Sequence, residues 1–78
     1  MALNPGVANV LAYYAMSLNF AGRSEEAIPL FQKAIRLNPN PLSSFLNYYH
    51  QLGNALTYTG RYEEAVSAYK KAIQRAPN

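Results

Sequence analysis

One helical phrase occurs twice in this chain at a constant offset of 38 residues, and so strict an internal repeat leaves few folds open. Gly60-Arg61-Tyr62-Glu63-Glu64-Ala65-Val66, followed by Tyr69, Lys71-Ala72-Ile73 and Pro77, restates Gly22-Arg23-Ser24-Glu25-Glu26-Ala27-Ile28, followed by Phe31, Lys33-Ala34-Ile35 and Pro39. In the second copy Tyr62, Ala65, Val66, Tyr69, Ala72, Ile73 and Ala76 fall on one stripe of a helix of period 3.6, with Glu63, Glu64, Ser67, Lys70, Lys71 and Gln74 opposite. Glutamates open each copy and cations close it, which suits the helix dipole at ~0.3–1 kcal/mol per exposed charge. Ser24 is positioned to cap the first copy, and Pro29, inside it, forfeits one backbone bond and is expected on the outer face.

A shorter match, Leu3-Asn4-Pro5 with Leu37-Asn38-Pro39, divides the chain into the tail of a preceding unit (1–5), one unit at 6–39 and another at 40–77. The pattern predicts four helices near 6–21, 24–37, 41–59 and 62–76, the third being the longest. The third starts a turn early, since Asn40-Pro41 supplies an N-cap and a first-turn proline. Inward stripes are expected from Val7, Val10, Leu11, Tyr14, Ala15 and Leu18, and from Leu42, Phe45, Tyr49, Leu52, Gly53 and Leu56. Short turns at Ala21-Gly22-Arg23 and Thr59-Gly60-Arg61 make each helix pair an antiparallel hairpin, with Ala15 against Ala27 and Gly53 against Ala65.

The fold class expected is therefore all-α, hairpins stacked as a solenoid. At 78 residues without cysteine, such a chain has no disulfide or thiolate site to staple it, so packing or association must supply its stability. The net charge of +3 is dispersed. Every Lys and Arg, and all four glutamates, lie in the second helix of a unit or the turn before it, which reads as a solvated face rather than a phosphate-binding stripe. No nucleic acid and no membrane partner is expected, and a cytoplasmic location is the default. With one histidine, no cysteine and no aspartate, no catalytic pair, metal set or cofactor site can be nominated, and the chain is not expected to be an enzyme.

The spacing of Leu52-Gly53, Leu56, Gly60, Ala65, Tyr69, Ala72 and Pro77, matched by Leu11, Ala15, Leu18, Gly22, Ala27, Phe31, Ala34 and Pro39, resembles the tetratricopeptide repeat (TPR) over the whole chain. Leu11 and Tyr49 stand where that family usually has a bulky opening aromatic, and the second unit is four residues too long. The resemblance implies protein–protein interaction, with first helices lining a concave groove. Carried onto this chain, the peptide-binding positions are Asn9, Tyr13, Met16 and Asn19, with Ala12 a further candidate, and Asn47, His50, Asn54, Thr57 and Tyr58. It also implies that a carboxylate clamp for acidic chaperone C-termini is lacking, because His50 stands where a clamp lysine is expected.

Asparagines offer donor and acceptor to a peptide backbone, and tyrosine and methionine offer apolar contact. Each has a plainer reading. The asparagines can be polar filler, His50 can simply face solvent, and Tyr13, Tyr48 and Tyr58 divide evenly between packing and partner contact. Tyr14 and Tyr49 are expected in the packing. The partner is a protein or peptide in an uncharged groove; the alternative is a structural repeat whose ends or groove are filled by copies of itself. A homo-oligomer is expected, since two stacked units leave apolar ends: Ala65, Ala68, Tyr69 and Ala72 at one, Val10, Tyr13 and Tyr14 at the other.

Overall fold

In a computed structural model, which describes residues 5–38 and 47–75, four helices follow in order: α1 (Pro5–Phe20), α2 (Ser24–Leu37), α3 (Tyr48–Tyr58) and α4 (Tyr62–Arg75). The described residues contain no strand. α1 packs on α2 and α3 on α4, the two hairpins stack through α2 and α3, and α1 meets α3 along a narrow line.

The hairpin turns are the same device used twice. Arg23 N–H donates to Leu18 O at 2.8 Å and Gly22 N–H to Asn19 O at 3.1 Å. At the same offset as in the sequence, Arg61 N–H donates to Leu56 O at 2.8 Å and Gly60 N–H to Thr57 O at 3.1 Å. Such a closure needs a left-handed residue just past the helix, and Gly22 (φ +79°) and Gly60 (φ +83°) supply it without a Cβ penalty. Arg23, not Ser24, stands at the N-cap of α2, and no side chain caps it. Ser24 is already helical and buried. Arg23 instead reaches Glu26 with a two-pronged contact, Nε to Oε2 at 2.5 Å and an NH2 group to Oε1 at 2.8 Å. That bond holds the guanidinium above its ordinary pKa. Pro29 is exposed inside an unbroken α2.

The third helix departs from expectation. Asn47 has an extended backbone (φ −77°, ψ 101°), and its side chain accepts from His50 N–H, so α3 starts at Tyr48 and is the shortest described helix. One continuous helix over 41–59 is therefore not formed, because Asn47 is extended and its side chain caps a helix that begins at Tyr48. The Asn40-Pro41 start, Leu42 and Phe45 lie outside the described residues.

The core is built largely of alanine. Ala8, Ala12, Ala15, Ala27, Ala34 and Ala55 are fully buried, with Ala65, Ala68 and Ala72 nearly so, around Phe31 and Tyr48 as the largest enclosed side chains. Small residues on facing helices let their backbones approach closely. This corrects three expectations. Val7, Val10 and Tyr14 are exposed, so the inward stripe of α1 is Ala8, Ala12, Ala15 and Leu18, with Leu11 half-buried. Tyr48 rather than Tyr49 fills the α3 core position. Finally, Ala65, Ala68 and Ala72 face inward, and the exposed apolar strip of α4 is Tyr62, Val66 and Ile73. Ser24 and Ile28, the α2 residues equivalent to Tyr62 and Val66, are buried in the stack, and Ile35, equivalent to Ile73, packs half-buried against it.

Candidate functional site

The first helices of the two hairpins are joined by a polar anchor. Tyr48, 1% exposed, has its hydroxyl donating to Asn9 Oδ1, so α3 is tied to α1 through a group expected to serve a partner. Burial pushes the Tyr48 phenol above the usual tyrosine range, against a smaller opposing hydrogen bond from Asn38, with Tyr13 nearby adding to the rise.

A second anchor lies within the other hairpin. Tyr69 of α4 donates from its hydroxyl to Asn54 Oδ1 at 2.6 Å and lies 3.4 Å from Thr57 Oγ1, which itself donates to Gly53 O at 2.8 Å. The ring can lie there because Gly53 has no side chain: a Cβ would sit 2.7 Å from Tyr69 Cε1. The His50 ring is tilted by 55° against Tyr69, centroids 5.6 Å apart. Asn47 spends both ends of its amide, Oδ1 accepting from His50 N–H and Nδ2 donating to Ala72 O, each at 3.2 Å.

The nine expected contact residues thus divide. Asn9, Asn47, Asn54 and Thr57 hold helices together, while Tyr13, His50 and Tyr58 are exposed and Met16 is half-buried against the core. Ala12 is fully buried and has no surface to offer, a correction to its place among the groove candidates. Asn19 is different again: its Oδ1 is buried and has no hydrogen-bond partner among the described residues. It lines an open cleft of about 480 Å³ with Phe20, Arg23, Ser24, Tyr58 and Thr59, where the ends of α1 and α3 meet the start of α2.

Phe20 and Tyr69 belong to this surface and were not among the sequence candidates. Phe20 had a signal, an aromatic directly before a turn at the 38-residue equivalent of Tyr58. Tyr69 had a fainter one, a glycine in the middle of α3 facing a tyrosine of its hairpin partner.

Charge reaches the cleft only at its α2 side, from Arg23 and Glu25. α1 and α3 contain no Asp, Glu, Lys or Arg. Arg61 approaches Glu25 at 3.6 Å between the two turns, and Lys71 Nζ lies 5.7 Å from the centre of the Tyr49 ring. Among the described residues no group of three or more His, Cys, Asp or Glu could hold a metal ion, and no helix is long and apolar enough to cross a membrane. Residues 6–78 match the family model for the tetratricopeptide repeat. No curated protein and no solved structure matches the chain.

Proposed function

The chain belongs to the tetratricopeptide repeat family, and we propose on that footing that it receives a peptide or helix against the uncharged face of α1 and α3. Repeats of this family generally mediate protein–protein interaction, and the family is a non-catalytic module. The observation that carries the finer reading is the segregation of charge: two adjoining helices without an Asp, Glu, Lys or Arg expose Tyr13, Phe20, His50 and Tyr58. Aromatic side chains of this kind give contact area at low entropic cost. The amide Nδ2 groups of Asn9 and Asn54 remain as donors toward a partner's carbonyls, and the unpartnered Asn19 oxygen takes an N–H from a segment entering the cleft. A partner with apolar side chains on an extended backbone suits this set; the cation at the cleft, Arg23, is already paired with Glu26 and leaves little for a free carboxylate.

A display selection of random peptides against the folded chain tests this. Selected peptides should lose roughly tenfold or more in affinity on Tyr13→Ala and on Tyr58→Ala. Amidating their C-termini should change affinity by less than about twofold, since α1 and α3 carry no Lys or Arg and Arg23 at the cleft is already engaged by Glu26. Peptides that tolerate both alanines, or that require a free C-terminus, contradict the reading.

A second reading is favoured by the exposed apolar ends, Val7, Val10 and Tyr14 on α1 and Tyr62, Val66 and Ile73 on α4. In it the chain associates with copies of itself through these ends, leaving the α1–α3 face open.

A further inference from the structure

We infer that copies of this chain stack head to tail, the α1 face of one on the α4 face of the next, in the register by which α3 covers α2 within the chain. This rests on the self-association reading above and gives it a direction. The internal interface is the template. α3 presents Tyr48, Leu52 and Ala55 at i, i+4 and i+7, all buried in the stack. Moved back by the 38-residue repeat, these become Val10, Tyr14 and Ser17 of α1, all exposed. On the receiving side, Ser24 and Ile28 of α2 are buried, and their counterparts on α4, Tyr62 and Val66, are exposed at 66% and 51%.

One chain therefore carries both halves of an interface that it also contains once, complete, in its middle. The two halves are not copies in detail: Val10 replaces a tyrosine on the covering helix, and Tyr62 replaces a serine on the receiving one. The α1 half is uncharged throughout, so no ion must be desolvated from that side. Two copies of the α1 face, or two of the α4 face, have no such template in the fold. The two faces lie at opposite ends of the stack, so the contact is heterologous and leaves one half of each kind open at the ends of any linear assembly.

Two complementary variants test this, V10E/Y14E with the α1 half blocked and V66E/I73E with the α4 half blocked. All four positions are exposed, so circular dichroism should show unchanged helix content. Where a glutamate variant loses helix, the serine substitution at the same positions replaces it. By sedimentation equilibrium the unaltered chain should grow past dimer mass over roughly a hundredfold rise in concentration. Each variant alone should remain a monomer, and their equimolar mixture should form a dimer and nothing larger. Dimers formed by one variant on its own would overturn the head-to-tail arrangement while leaving self-association standing. A monomer mass for the unaltered chain across the whole range would overturn both.

Discussion

At the scale of single residues, two tyrosines act as fasteners between helices. Tyr48→Phe removes the hydroxyl bonded to Asn9 and should cost about 1 kcal/mol by urea unfolding at neutral pH. The same substitution should change the alkaline limb of the stability profile. The folded Tyr48 phenol has a raised pKa, so its contribution is complete below the ordinary tyrosine value of about 10. Above that pH the unfolded chain releases the proton first, and the contribution is lost as pH rises through the folded value. The phenylalanine variant should lack that part of the fall. Gly53→Ala tests the other fastener. Its Cβ would meet the Tyr69 ring at 2.7 Å, and the ring can yield only by giving up Asn54. Overpacking costs about 1–3 kcal/mol against a helix-propensity gain of up to about 1 kcal/mol, so the net effect should be destabilising. In a Tyr69→Ala background the same substitution should instead stabilise, and a double-mutant cycle reads that reversal directly.

Among the elements, α3 is the most locally specified. Asn47 caps its first turn and also ties its start to the α4 backbone at Ala72. Asn47→Ala should therefore cost about 1–2 kcal/mol in equilibrium unfolding, and a change of a few tenths would show that neither bond matters. The hairpins, their glycine turns and the repeated aromatic and alanine positions (Phe31 and Ala34, Tyr69 and Ala72) were legible in the chain because each is a local pattern at fixed spacing. Which face of α1 turns inward was not. That helix has no charge and is apolar nearly all round, so its pattern lacks a polar face to orient it. Choosing the bulky Val7, Val10 and Tyr14 for the inside failed because close hairpin packing selects Ala8, Ala12 and Ala15. On α4, Tyr62, Val66 and Ile73 read as one apolar stripe with Ala65 and Ala72, yet only the alanines are buried. The groove asparagines were found by position, but their bonds to Tyr48 and Tyr69 depend on partners 39 and 15 residues away.

The whole molecule is two hairpins with a division of surfaces. α2, α4 and the turns before them hold the Lys, Arg and Glu residues, α1 and α3 hold none, and the two ends expose apolar residues whose counterparts the middle of the stack buries. A partner held by the uncharged face should leave the charged helices untouched, whatever happens at the ends. The most direct measurement is an NMR titration of the nitrogen-labelled chain with a selected peptide, made with V66E/I73E so that stacking does not broaden the signals. Backbone amides of Tyr13, Asn19, His50 and Tyr58 should shift with saturation, while those of Lys33, Ser67 and Lys70 on the outer helices stay in place. Shifts concentrated on α2 and α4, with α1 and α3 unmoved, would contradict the account.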